Sequence, residues 1–514
     1  MHPLLGRTAA VGAAIVALLL GSAGISGATA GMPRTTPNPE PNFPIGLPGA
    51  APATAVVATS GTAFLAYTAY NSSDSFGSVY VCTVPRGARA CSKTTLLPPL
   101  NSKISASGGP VSMLIASNGY VDILVTTYPD TKGHQPDGQY ADTIKYVVGP
   151  GGGLIGKTGV RVGTLDSQGD AIFYGRQIVW VSGSDDTGQG GLTVQATPGD
   201  GTFPHFSDPV SIDLAGTPAA KEFYFYGGDV VALPNKDLLL AWDDSSNAYA
   251  VEVNPANKYK VVGSSEWKGE VTTTSSGTPT SALATGPSGT YLLLRQSTDG
   301  FSGKLELLKY TSSGHFGTPV SVPATTADYG DMTLYELGSG ALRVFYETYA
   351  GTLVQDSSSD GGAKWTTYTF ESGIPESSSN AAAALLRFGA GVVFEGAGGT
   401  PSDGIHARVQ PVLVHQLVSL IFKSTKLTPG QTTTASGLVG PADSGQKVDV
   451  QEDEKTGWVT IGSATETASG SWSLTVKAPS ATGTYNYRAE ATPVAGWFFT
   501  DYSPTHSIVV AKTT

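Results

Sequence analysis

The chain has 514 residues, too many for one ordinary domain, and its 40% hydrophobic content can bury substantial cores, so two or more domains are expected. The formal net charge of −11, with no Lys/Arg cluster to relieve it, argues against partners held by phosphate or anionic-lipid attraction, and nucleic acid is set aside. Charged residues at 14%, with 65 Gly and 22 Tyr, describe strands joined by tight turns: an all-β protein.

The N-terminus carries Arg7, the apolar run Ala9 to Leu20, and small residues ending in Ala28-Thr29-Ala30. This pattern reads as a secretory signal over residues 1–30 with cleavage before Gly31. The residue that follows the cleavage site is Gly31 and not a Cys, and no later apolar stretch is long enough to span a bilayer. A secreted protein is expected, extracellular or loosely associated with the cell wall, monomeric and not membrane-spanning. Residues 31–50, punctuated by Pro33, Pro37, Pro39, Pro41, Pro44 and Pro48, read as a Pro-rich linker. Cys82 and Cys91, the two cysteines of an exported chain, flank the turn Pro85-Arg86-Gly87-Ala88 and are expected to form a hairpin disulfide worth roughly 2–3 kcal/mol.

From residue 51 onward one module recurs, an apolar run, a turn and a second apolar strand, as in 55–67. The second strands begin near residues 62, 121, 177, 237, 290, 341 and 391, a period of about 50–60 residues, and each of the first six modules continues with a third strand, a turn and a fourth strand. The pattern predicts a β-propeller of about seven four-stranded blades over 51–414. The seventh module shows three strands, and its missing outer strand is expected from the Pro-rich segment, because Pro is tolerated on an outer edge.

The third turn of the sixth module reads Ser358-Ser359-Asp360-Gly361-Gly362-Ala363-Lys364-Trp365. Asp360 can fold onto backbone N–H groups, the two glycines permit positive φ, and Trp365 returns as an anchor beneath the turn. Ser358, Asp360, Gly362 and Trp365 resemble the Asp box of bacterial sialidases and related proteins, with Lys364 in place of the usual Thr. The resemblance implies a propeller blade and a structural role, on the face away from a ligand site. Lys309 to Phe316 resembles a worn copy of the same box.

Residues 415–514 contain seven short strands, which predict an immunoglobulin-like sandwich. Leu427-Thr428-Pro429-Gly430-Gln431, Ser469-Gly470-Ser471-Trp472 and Gly483-Thr484-Tyr485 resemble bacterial Ig-like modules. Trp458 and Trp472 are read as core, and Tyr485 as a corner tyrosine.

Gly-Asp recurs before three inner strands, at Gly169-Asp170, Gly228-Asp229 and Gly330-Asp331. The repeat places Asp170, Asp229 and Asp331 at the rim of the central channel, where converging carboxylates suit sugar hydroxyls, a cationic ligand or Ca²⁺. No cofactor is otherwise expected. The sialidase Phe/Tyr-Arg-Ile-Pro motif is missing, and Arg176, Arg295, Arg343, Arg387 and the pair Tyr346-Glu347 are as well explained as strand-end residues. Gly-x-Ser-x-Gly, His-Glu-x-x-His and phosphate-loop motifs are also missing. The preferred reading is a non-catalytic extracellular recognition protein that binds a glycan or a surface protein on the propeller face. The alternatives are a divergent sialidase-like exo-glycosidase and a purely structural surface protein.

Overall fold

The computed structural model describes residues 44–45 and 50–512, except 72–73, 87, 89, 99–109, 128–141, 158, 165–168, 184–191, 199–206, 209, 222–225, 244–246, 269–280, 298–302, 324–331, 349–351, 371–378, 398–406 and 495–497. Residues 1–30, read above as a secretory signal, and Asp331 therefore lie outside the described residues.

Seven antiparallel sheets follow one another: blade 1 over 50–96, blade 2 over 110–164, blade 3 over 169–212, blade 4 over 226–268, blade 5 over 281–321, blade 6 over 333–369 and blade 7 over 379–412. Their inner strands touch in order from blade 1 to blade 7 and back to blade 1, so the sheets form a closed ring, a β-propeller. Blade 7 supplies three of its own strands, and Pro44–Ile45 adds the fourth through the pairs Pro44↔Arg408 and Ile45↔Ala407. The segment read as a linker thus contains an outer strand, at the position where Pro is tolerated.

Each blade is buried on both faces, so its central strands are nearly continuous apolar runs. In blade 4, Leu238, Leu240 and Trp242 pack toward blade 3 with Val179 and Val194. Leu239 and Ala241, on the opposite face of the same strand, pack toward blade 5 with Leu283 and Leu292. Similar layers join blades 5 and 6 around Leu307 and Val344, blades 6 and 7 around Phe345 and Val393, and blades 7 and 1 around Phe394 and Leu65. Closure is therefore a chain of inter-blade cores, each buried only once its neighbour is in place. Blade 2 also buries a charge pair: Lys145 Nζ and Asp122 Oδ1 form a fully buried ion pair at 3.0 Å. Removing either partner alone would strand a charge in the interior. Cys82 and Cys91 are disulfide-bonded with a Cα–Cα distance of 5.4 Å.

Past residue 412 the chain forms two further sheets. One contains Leu417–Val418, Ile421–Phe422, Thr432–Gly440 and Ser471–Lys477; the other contains Lys426–Leu427, Lys447–Glu454, Gly457–Thr465, Gly483–Thr492, Asp501–Tyr502 and His506–Val510. They enclose a core of Phe422, Val448, Trp472, Tyr487 and Ile508, the arrangement of a β-sandwich. The Tyr485 hydroxyl donates to the Ala481 carbonyl at 3.0 Å, which is the corner geometry expected of it. Trp458 departs from expectation. It lies at the sheet surface with the Arg488 guanidinium 4.4 Å from its ring, because its strand alternates and it falls on the outer side.

The sandwich docks directly on the propeller. Phe498 stacks on Phe388 of blade 7 at 5.5 Å and packs with Ala390, Leu386 and Val57. Arg86, in the turn before the outer strand of blade 1, pairs with the buried Asp443. Phe388 and Arg86 both stand on turns at the face that carries the Asp box. The sandwich therefore leans on that face and not on the opposite one.

Candidate functional site

A blade's inner strand begins at one face of the ring and ends at the turn into its second strand on the other. In blade 6, Glu336, Leu342 and Ser358 are paired at a common end, so the Asp-box turn shares the face of the first turn. Asp170 is the second residue of its inner strand, Gly169–Tyr174, and Asp229 is the middle residue of Tyr226–Ala232. Asp170 therefore stands toward the opposite face, at the mouth of the channel, with Asp229 beside it and further along the channel wall.

Local sequence explains both placements. A Cβ at Gly169 would come within 2.4 Å of the Val181 carbonyl and 2.5 Å of the Trp180 ring, so only glycine lets the strand start this close to its neighbour. In blade 4 the register slips between Tyr226 and Asp229, a bulge at Gly227-Gly228 that re-aims the Asp229 side chain.

Each carboxylate reaches the next blade. Asp170 Oδ2 accepts from the Val230 N–H of blade 4 at 3.2 Å, and Asp229 Oδ2 accepts from the Leu283 N–H of blade 5 at 2.6 Å. The recurring Gly-Asp is thus, at two positions, a staple from one inner strand to the next. Burial pushes the Asp170 carboxyl well above the usual carboxylate range, and the charge of Asp229 pushes it further. Burial also raises Asp229, against the opposing pull of the Leu283 N–H. Both side chains keep partial surface on the channel, but inner strands surround them, and that enclosure removes the bulk water that would stabilise a second charge. Burial and mutual repulsion thus both disfavour two charges at this place.

Tyr335, nearer the Asp-box end of its inner strand, ties blade 6 to blade 7, and its sequence gave no sign of it. Its hydroxyl donates to the Ala383 carbonyl of blade 7 at 2.7 Å. Burial, then the charge of Asp229, raises its pKa. A tyrosine in an apolar strand reads as core until the ring has closed.

The remaining candidates do not gather there. Arg176 and Arg387 lie in first turns on the opposite face, and Arg343, the second residue of its strand, donates to the adjacent Leu342 carbonyl at 2.9 Å. Arg295 is buried in the second strand of blade 5. The Tyr346 hydroxyl is buried between blades 5 and 6 and donates to Asp356 Oδ2 at 3.1 Å. The Glu347 side chain and the loop residues Asp130, Asp137, Asp185, Asp186, Asp244, Asp299 and Asp403 lie outside the described residues. Among the described residues no group of three or more His, Cys, Asp or Glu is placed to hold a metal ion, and no helix is long and apolar enough to cross a membrane.

The Asp-box residues take structural positions. Ser358 Oγ donates to Asp360 Oδ1 at 2.9 Å and accepts from the Gly362 N–H at 2.8 Å, while Asp360 Oδ1 accepts from the Lys364 N–H at 2.9 Å. Trp365 is half-buried against the core between blades 5 and 6.

No family model matches the chain, and no curated protein does. Among solved structures, the chain is similar to the leech intramolecular trans-sialidase, at 12% identity over 73% of this chain and 70% of that one, with a TM-score of 0.39. It is similar to the intramolecular trans-sialidase of Ruminococcus gnavus at 13% identity, over 70% of this chain and 93% of that one, TM-score 0.38. It is also similar to the SapL1 lectin in complex with alpha methyl fucoside at 16% identity, over 60% and 94% of the two chains, TM-score 0.35. These likenesses are too distant to assign this chain an activity.

Proposed function

We propose that this is a secreted, non-catalytic recognition protein whose propeller binds a polyhydroxyl ligand, a glycan on an extracellular surface, at the channel mouth opposite the Asp-box turns. The observation that carries the reading is the neighbouring pair Asp170 and Asp229, each spending one oxygen on the next blade and holding a second at a site enclosed by inner strands. A carboxyl beside a carboxylate offers both a donor and acceptors, the complement that sugar hydroxyls require. Docking of the sandwich on the other face supports the assignment, since it leaves this mouth clear of the second domain. The Cys82–Cys91 disulfide agrees with export to an oxidising compartment.

Binding is favoured over glycoside hydrolysis because the arginines stand apart and Tyr346 is committed to Asp356 inside a core. The C-terminal module, read as a member of the Ig-like group, serves as a docked attachment domain. Asp331 is proposed as a third carboxylate of the rim, with Ca²⁺ as the ion such a rim would take.

A glycan array read together with a fluorogenic glycoside panel tests the assignment, using the full chain and the double variant Asp170→Asn, Asp229→Asn. Asparagine oxygens can still accept from Val230 and Leu283, so the variant should keep its melting temperature and lose glycan binding. Unchanged glycan binding with a lowered melting temperature would reduce both residues to staples. Turnover of a sialoside would replace the reading with the hydrolase.

A further inference from the structure

A groove of about 410 Å³ lies on the outer wall between blades 4 and 5, far from the channel. That size falls in the range of small-molecule sites, roughly 300–1,000 Å³. Its floor is the outermost strand of blade 4, Lys260–Lys268, and its far wall is the outer turn of blade 5, the worn copy of the Asp box. We propose that this groove is a second ligand site, for a neutral pyranoside, independent of the channel mouth.

The groove is built rather than incidental. A Cβ at Gly263 would sit 1.8 Å from the Ser313 carbonyl oxygen, so the two blades meet backbone to backbone at its lower end. Ser265 Oγ donates to the Gly314 carbonyl at 2.8 Å and lies 3.4 Å from His315 Nδ1. Glu252 accepts from the Gly314 N–H at 2.8 Å behind it. These bonds fix the relative position of Trp267 on blade 4 and of His315 and Phe316 on blade 5.

The chemistry of the lining selects the ligand. Trp267 and Phe316 pack edge to face with centroids 5.3 Å apart, which makes one joined apolar surface and leaves no gap between the rings for an ammonium group. Glu266, His315 and Ser264 supply acceptors and donors around that surface. Among the described residues that line the groove there is no Lys or Arg, so they offer no cation to an anionic sugar or a phosphate. An aromatic face bordered by a carboxylate, an imidazole and hydroxyls is complementary to a neutral sugar, whose C–H face is apolar and whose rim is hydroxyl. Addition of a peptide strand to the blade edge is disfavoured by the turn Pro218–Lys221, which packs against this outer strand.

The test uses the full-length protein and ligand-observed saturation-transfer NMR with the methyl glycosides of glucose, galactose and mannose. Transfer to ring C–H protons of at least one glycoside is expected. Trp267→Ala should abolish it, and His315→Ala, at an exposed position, should weaken it about three- to tenfold. Asp170→Asn with Asp229→Asn should leave it unchanged, so failure here and failure at the channel mouth are distinguishable. Absence of transfer from all three glycosides overturns the proposal. Transfer retained in both Trp267→Ala and His315→Ala also overturns it, as does binding of tetramethylammonium or of an extended peptide in place of the sugars.

Discussion

The outer turns of blades 5 and 6 occupy the same place in successive repeats and are closed by different means. In blade 6 the turn is self-contained: Ser358 and Asp360 bond each other and the N–H groups of Gly362 and Lys364, while Gly361 and Gly362 take φ of 73° and 96°. In blade 5 the equivalent turn has no Asp. Its Gly314 N–H is satisfied instead by Glu252 Oε2 of blade 4, which also accepts from the Tyr310 hydroxyl at 2.6 Å, and Ser265 of blade 4 donates to the Gly314 carbonyl. One turn is closed by its own side chains and the other by its neighbour. A repeat can lose its local motif without losing its shape when an adjacent blade supplies the missing acceptor.

The largest test of this contrast is Glu252→Ala. Glu252 is 1% exposed and serves Gly314, Tyr310 and Asn235, so its loss leaves buried donors without an acceptor and should cost roughly 2–4 kcal/mol in chemical denaturation. A cost no greater than that of altering Asp360 would dissolve the distinction between the two turns. Next comes Trp365→Ala. Being half-buried against the core between blades 5 and 6, Trp365 should account for about 2 kcal/mol, below the roughly 3–5 of a fully enclosed Trp. Loss of glycan binding at unchanged melting temperature would count against its structural role.

The two turns should also differ in their response to pH. Tyr310 is pushed up to about 12 from 10.0, by burial first and then by its bond to Glu252. A raised value means its stabilisation is fully present below pH 10.0 and is lost as pH rises through about 12. Tyr310→Phe should therefore lower stability by about 1 kcal/mol at neutral pH and flatten the alkaline limb, measured by denaturation across pH. The smallest effect belongs to Asp360. The Lys364 N–H, then the Ser358 hydroxyl, hold its carboxyl below the usual 3.8, so its contribution is present above that value and lost as pH falls through the lowered one. Asp360→Asn should reduce the melting temperature slightly at neutral pH and converge with the parent protein in acid. Convergence at alkaline pH instead would reverse the assignment of the two turns.

The closure of the blade 6 turn was legible in sequence because every group that closes it lies within eight residues. The same holds for the Tyr485 corner and for the second strands, which begin at 63, 121, 177, 238, 289, 342 and 391, close to where the apolar runs and turns place them. The Glu252 closure was not legible, since Glu252 and Gly314 are separated by 62 positions and meet only when two blades pack. Trp458 misled for a related reason: a large aromatic in an alternating strand can face either side, and only the partner sheet decides which.

The sequence by itself determined the all-β class, the repeat and its period of about 50–60 residues, the disulfide pair and the turn chemistry of blade 6, because each rests on neighbours along the chain. The tertiary structure alone decided that Asp170 and Asp229 reach the next blade's backbone, that the Tyr335 hydroxyl reaches the Ala383 carbonyl of blade 7, and that Trp267, Glu266 and His315 line one groove. It also decided that the sandwich rests on the Asp-box face. The physical reason is that a propeller buries its apolar layers and directs its polar side chains between blades. What a residue does there depends on the face of the next repeat, about 50–60 positions away, and not on the residues beside it.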